Sequence, residues 1–314
     1  MLRYPIRAPA ESRGTLSADL RAGRAVPSRA GNDIGRVSSI REISVSRLPS
    51  SAGAADQVRH PRFRQSARPM RNLEAEIITE YSLYLESGPK RRKTMVHALD
   101  LLGCIAQGAS TEEALEATPA AIRAYLRLMR SAGEEVDPDA PFTTAIAAHV
   151  MEGSWIGNGD PSSGFAPDFQ PLTAEDLALY LPRLDAMQTS LLAIVRDLPQ
   201  LTLAADPPGG GRSVFHILEH LADSHAAYLR YTSGKIEGLA GAQRALRERP
   251  EDPAAALERV WAIARARTAS LTEAERTQPV QHGQLTWTAR RALRRMLEHT
   301  WEHCRELERR LGAA

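Results

Sequence analysis

Residues 285–307 read LTWTARRALRRMLEHTWEHCREL. From Thr288 the pattern predicts one helix to Leu311, in which Ala292, Met296, His299, His303 and Leu307 share a face. Two histidines therefore interrupt an apolar stripe and are expected to point inward. Residues four apart stack on one side of a helix with a rise of about 6 Å, so two imidazoles at this spacing can converge on one ion. Two ligands do not complete a site, and a third has to come from another helix. A histidine on an apolar stripe commonly serves as a hydrogen-bonded core residue, so the pairing rather than either residue alone carries the expectation.

Upstream, SVFHILEHLADSHAAYL at residues 213–229 places His220 on the face shared with Ile217 and Ser224. His216 lies four residues before it, and spacing leaves open whether it is a ligand, a supporting residue or a surface group. Six of the nine histidines, His216, His220, His225, His282, His299 and His303, follow residue 215. Three neutral imidazoles suit Zn, Ni, Fe or Cu and leave a coordination position open for water or substrate.

The rest of the C-terminal half is helical by pattern. Thr173 followed by Asp176 caps a first helix, whose apolar positions Leu177, Leu181, Leu184, Met187, Leu191 and Ile194 keep helical spacing until Pro199. A second helix runs from Ser213 to about Tyr231, a third from Pro253 to Leu271, and the fourth is the one quoted above. Four apolar stripes that must all be buried predict an all-α four-helix bundle over residues 172–314.

Residues 213–229 and 285–307 resemble the second and fourth helices of the DinB-like superfamily, a likeness that extends over about residues 172–311. By motif position the resemblance assigns a metal site to His220, rather than His216 or His225, together with His299 and His303. Trp287 matches the aromatic that precedes the fourth helix. The resemblance implies a divalent metal ion, Zn, Ni or Fe, and a thiol-dependent transferase or hydrolase acting on a small substrate with a low-molecular-weight thiol. No catalytic residue is assigned, because Glu219, Glu298 and Glu302 each neighbour a ligand in sequence but point to another side of their helix. Cys304 is about 100° round the helix from His303 and reads as a small apolar contact. The alternative is a non-catalytic binding protein with a structural metal, in which the unit over residues 70–152 recognises a protein or RNA partner.

The preceding region has a different pattern. In EYSLYLESG, Tyr81, Leu83 and Leu85 alternate with Ser82, Tyr84 and Glu86 as in a half-buried strand. KTMVHALDL and GCIAQG predict two more strands, Ser110 with Glu113 opens a helix to about Arg130, and FTTAIAAHVMEG predicts a last strand. The expected unit is α+β, a small sheet packed on one helix over residues 70–152. The run HALDLLGCIAQGASTEEALEATPAAIRAYLRLMRSAGEEVDP resembles the HicB-like antitoxin domain, with its Gly-Cys, a Gly before the helix cap and an EEAL helix start in that order. It departs from that family at Asp100, Leu101 and Leu102, where a Pro-containing loop is usual. Residues 153–171, rich in Gly, Pro, Ser and Asp, read as a linker in which Trp155 and Phe165 act as anchors.

Residues 1–69 carry thirteen arginines against five acidic residues, a formal +8 in a chain whose total is +2, which leaves −6 for the rest. The mildly acidic body disfavours a nucleic-acid partner. The first 69 residues show no sustained apolar period and are expected to be disordered, or to be an over-extended start with Met70 as the true first residue. No apolar run approaches about 18 residues, so no membrane helix is expected. Two cysteines, Cys104 and Cys304, far apart in sequence, fit a reducing, cytoplasmic setting. A homodimer is the expected assembly.

Overall fold

Ser110, Thr173, Ser213, Asp252, Thr272 and Thr288 each stand immediately before a helix, and each side chain accepts the backbone N–H of the residue three positions on. Such caps contribute about 1 kcal/mol apiece and place the helix starts where the local sequence signals them. The computed structural model describes residues 78–312 apart from 90–91, 154 and 161–162. The readings made for residues 1–69 lie outside the described residues.

Four strands come from the first part: β1 (Thr79–Ser87), β2 (Arg92–Ala98), β3 (Cys104–Ser110) and β4 (Phe142–Val150), with helix α1 (Thr111–Ser131) between β3 and β4. The sheet order is β3-β2-β1-β4. β1 pairs antiparallel with β2 and β2 with β3, whereas β4 runs parallel to β1. The sheet is therefore mixed, with α1 as the crossover between β3 and β4. The α+β unit expected here is a small mixed sheet with one helix.

Every residue from Thr94 to Ala98 is buried, which requires cover on both faces of β2. Thr94 Oγ1 meets Thr111 Oγ1 at the start of α1, whereas His97, three positions along β2 and so on the opposite face, and Gln107 of β3, paired with Met95 on that same face, reach the last helix. Alternation thus assigns one sheet face to α1 and the other to the C-terminal helix. Glu86, expected on the solvent side of a half-buried strand, is fully buried on that second face. Its carboxylate accepts the backbone N–H groups of Gly159 and Asp160, so the loop after β4 closes over the strand end.

The helical part consists of α2 (Ala174–Val195), α3 (Gln200–Ala204), α4 (Val214–Ser233), α5 (Leu239–Arg247), α6 (Pro253–Ala269), α7 (Glu273–Thr277) and α8 (Ala289–Leu311), with a hairpin of β5 (Val280–His282) and β6 (Leu285–Trp287) before α8. The long helices α2, α4, α6 and α8 pack in a ring, α2 on α8, α8 on α4, α4 on α6 and α6 on α2. Short α3, α5 and α7 and the hairpin are additions that the apolar periodicity did not announce. Residues 71–314 form one compact unit. Among the described residues no helix is long and apolar enough to cross a membrane.

α8 lies between the sheet and the other bundle helices, and charged side chains along it are buried. Glu298 accepts hydrogen bonds from His97 Nδ1 at 2.7 Å and from Arg294 and Arg295 at 2.9 Å. Arg294 also makes a two-pronged pair with Asp168, at 2.6 and 3.0 Å, and Arg295 donates to Gly159 O at 2.9 Å. Burial opposes ionisation of Glu298, yet Arg294, His97 and Arg295 outweigh it and hold the carboxyl well below the usual carboxylate range. Phe165 anchors the loop under this network, against Tyr84, His97 and the Arg294 guanidinium, whereas Trp155 is 41% exposed. Gly103, at φ +107°, sits where sheet, α1 and α8 meet, and a Cβ there would fall 2.5 Å from the Tyr125 hydroxyl and 2.9 Å from Leu297.

Removing one member of a buried ion pair leaves its partner charged in a poor solvent, at a cost of about 3–5 kcal/mol. Glu298→Ala is therefore expected to lower the unfolding free energy by about that amount in urea denaturation. An unchanged midpoint and slope would show that the network contributes nothing to the fold.

Candidate metal centre

α4 and α8 are neighbours in the ring, and their facing sides hold the three histidines. His299 and His303 are separated by one turn of α8 and are 7% and 5% exposed, while His220 of α4 is only half-buried. His303 Nε2 lies 3.2 Å from His299 Nε2. The His220 ring stands 4.6 Å from that of His299 and 5.4 Å from that of His303, at 87° to both. One ligand atom from each of the three lies within 4.8 Å of the others. Two imidazole nitrogens bound tetrahedrally at about 2.0–2.1 Å sit about 3.3 Å apart, so the α8 pair already has the separation an ion requires.

The surroundings fit that use. His303 Nδ1 donates to Glu306 Oε2 at 2.8 Å, which fixes the tautomer and turns the Nε2 lone pair toward the cluster. Glu306 in turn accepts from Arg310 at 3.0 Å, and Arg310 also donates to Arg212 O. Burial works against the Glu306 charge, but the His303 hydrogen bond and Arg310 prevail and hold the carboxyl below the usual range. Burial pushes the His220 imidazole down to about 3, helped by the positive Arg212 and by His303. Burial, with His303 and His220 nearby, holds His299 well below its ordinary value. Both rings stay neutral with lone pairs to offer. His299 Nδ1 is buried with no hydrogen-bond partner among the described residues.

Aromatic rings wall the cluster. Tyr228 of α4 meets His299 edge-on at 6.2 Å and stacks on Trp287 at 5.9 Å, and Trp287 stacks on Tyr231 at 4.4 Å. Trp287, singled out in the sequence, is completely buried at the end of β6, where the hairpin delivers it against α4. Arg295 lies over the other side of the Tyr228 ring at 5.8 Å and links this wall to the buried charge network.

The remaining sequence candidates lie elsewhere. His216 bonds Ser213 Oγ at 3.0 Å at the start of α4, outside the cluster. His225 is fully buried, with Nε2 on Thr300 Oγ1 at 3.0 Å and its ring stacked on Trp261. His282 reaches Tyr231 O from the hairpin at 2.8 Å. Glu298 belongs to the charge network and Glu302 accepts from Gln107 at 2.8 Å, so neither carboxylate faces the imidazoles. Cys304 is buried, and burial with Glu308 pushes its thiol up to about 12, which keeps it protonated. Glu306 and Tyr228 were not singled out by the sequence reading. Glu306 was legible, since it lies three residues after His303 and therefore beside it on the helix. Tyr228 was not, because its relation to His299 depends on how two helices cross.

Loss of a carboxylate that orients a ligating histidine typically weakens metal binding about 10–100-fold. Glu306→Gln is expected to do so in a competition titration with a chromogenic chelator, and an unchanged dissociation constant would remove Glu306 from the site. A second expectation concerns pH. In the unfolded chain His220, His225 and His299 take up protons near pH 6.5, whereas in the folded protein the first two do so at about 3 and the third well below its ordinary value. The unfolded state binds more protons below about pH 6.5, so the stability of metal-free protein is full above that pH and falls as pH drops through it. Chelator-treated protein should show a denaturation midpoint that declines steadily from about pH 6.5 to about pH 4, and a rise across that window would contradict the burial of neutral imidazoles.

Comparison with known proteins agrees with this geometry in one respect. No curated protein and no solved structure gives a significant match to the chain. A family model described as the DinB superfamily matches residues 183–307, a span that begins within α2 and takes in His220, His299 and His303. Over that span the chain is similar to the DinB superfamily.

Proposed function

We propose that the protein is a divalent-metal-dependent enzyme of the DinB type, which holds its ion through His220, His299 and His303 and acts as a thiol-dependent transferase or hydrolase on a small substrate. The observation that carries this reading is the meeting of three imidazoles from α4 and α8 with His303 already oriented by Glu306. When bound, Zn, Ni or Fe supplies Lewis acidity that lowers the pKa of water or of a thiol at neutral pH. The chain does the rest. His299 and His303 sit in the core and the half-buried His220 leaves the approach to solvent on its own side. Tyr228 and Trp287 exclude water from the opposite side, which strengthens electrostatic interactions at the cluster. Protonated Cys304 takes no nucleophilic part, so the thiol is a co-substrate rather than a side chain.

For the first part of the unit, the HicB-like reading is supported by the mixed sheet with one helix, by Gly103-Cys104 and the Ser110 cap falling at the start of β3 and of α1, and by Gly108 late in β3 just before that cap. On this reading it is the scaffold against which α8 is held.

Elemental analysis of the full chain beside a variant with His299→Ala and His303→Ala tests the metal site, and thiol-consumption assays test the reaction class. Purified protein should carry a stoichiometric divalent ion that the variant lacks. Equal metal content in both would overturn the site, and stoichiometric metal without thiol-dependent turnover would leave a non-catalytic metalloprotein.

A further inference from the structure

The sheet has a vacant strand position. β3 pairs with β2 on one side and has no strand on the other among the described residues. Its sequence, CIAQGAS, holds neither the charges nor the proline that commonly guard an exposed edge. A groove of about 1040 Å³ runs beside it, lined by the five consecutive residues from Ile105 to Ala109. Successive side chains of a strand point to opposite faces, so five in a row can line one cavity only where it follows the strand's edge.

Both walls of the groove are helices that already cover the two sheet faces. On one side α1 presents Ala117, Ala120, Ala121 and Ala124, whose small side chains leave the space open. On the other, α8 presents Trp301, Arg305 and Arg309. A further strand would lie about 4.8 Å from β3, within the slot between the two helices.

The floor determines what chemistry can fill it. Covered peptide groups need hydrogen-bond partners; the Ala109 N–H already donates to Glu113, but an apolar small molecule would leave the other outward-facing groups of the β3 edge without any. An extended polypeptide satisfies them, as strands added to sheet edges do. The charge of the rim narrows the choice. Lys93 and Arg309 form no ion pair among the described residues, while Glu302 is committed to Gln107 and Arg305 to Glu308. Lys93 is also held at φ +57°, and Gly157 packs so tightly on its carbonyl that a Cβ there would fall 1.9 Å from the oxygen. The rim thus favours carboxylates, and the +8 segment at residues 1–69 has the wrong sign for it.

We propose that the groove along the β3 edge binds an extended acidic segment of a partner protein as an added strand of the sheet. Residues of that segment facing α1 are small and apolar, and the alternate residues facing Arg309 and Lys93 are acidic. This site is separate from the histidine cluster and does not rest on the enzymatic reading.

The test uses the full chain and a fluorescein-labelled peptide of about seven residues alternating valine and glutamate, with an alternating valine and lysine peptide as control. Saturable binding of the acidic peptide, at least about tenfold tighter than the basic one, is expected, together with an about tenfold or greater loss in Arg309→Glu. Ala121→Trp, which fills the groove from α1, should also abolish binding, and Arg309→Glu on the exposed end of α8 guards against a merely misfolded Ala121→Trp. Hydrogen exchange at the β3 amides that face away from β2 should slow when the acidic peptide is added. No saturable binding, equal affinity for both peptides, or indifference to Arg309→Glu would overturn the proposal. So would protection, before peptide is added, of the β3 amides that face away from β2, Ala109 excepted because its N–H already donates to Glu113, which would assign the groove to this chain's own segment or to a second copy.

Discussion

The structure depends on the burial of the Glu298 carboxylate between Arg294, Arg295 and His97. α8 is a charged sequence by composition, yet it lies in the middle of the molecule, and it can do so only because each buried charge has a partner. Asp168 and Gly159, from the loop after β4, supply the partners that α8 itself does not. An ion pair of this kind gains little over a hydrophobic contact of equal volume, but it penalises every arrangement in which one partner is missing. It therefore sets the register of sheet, loop and bundle relative to one another more sharply than apolar packing would.

That constraint reaches the histidine cluster directly. Each residue of a helix is turned about 100° from the last, so Glu298 and His299 face opposite layers from adjacent positions. Anchoring Glu298 on the sheet side fixes the rotation of α8 about its axis, and with it the direction of His299 and His303 on the bundle side. Arg295 extends the connection by lying over Tyr228, which in turn touches His299. Ligands carried on a helix clamped in this way are preorganised, and burial holds the His299 ring neutral.

The sheet-facing side of α8 continues beyond Glu298. Trp301, Arg305 and Arg309 leave the bundle and form one wall of the groove beside β3. Trp301 meets Tyr125 of α1 edge-on at 5.6 Å, which joins the two groove walls across one end of the strand. One helix thus carries the charge network and the groove wall at successive levels along its sheet-facing side and the metal-type cluster on another side, and the small sheet is what makes the first two possible.

The helix starts, the four apolar stripes and the His299 and His303 pair were legible because they are local: caps act over three residues and faces repeat every three or four. The choice of His220 over His216 came from likeness to a family; the His220 ring meets those of His299 and His303, whereas His216 bonds Ser213. The partly buried His220 also shows why spacing alone left the matter open, since both residues share a helix side. Other features were beyond local pattern. Glu86 looked like a solvent-facing strand residue, and Arg294 and Glu298 marked only the positions off the apolar stripe of α8. Whether a charge is buried depends on a partner far along the chain, here 126 residues away for Arg294 with Asp168 and 201 for Glu298 with His97. The sequence by itself determined which segments are helix and strand and which histidines share a face. The tertiary structure decided which charges go inside, where β4 joins the sheet and how α8 is rotated, because those outcomes rest on pairings between distant residues that no short-range periodicity encodes.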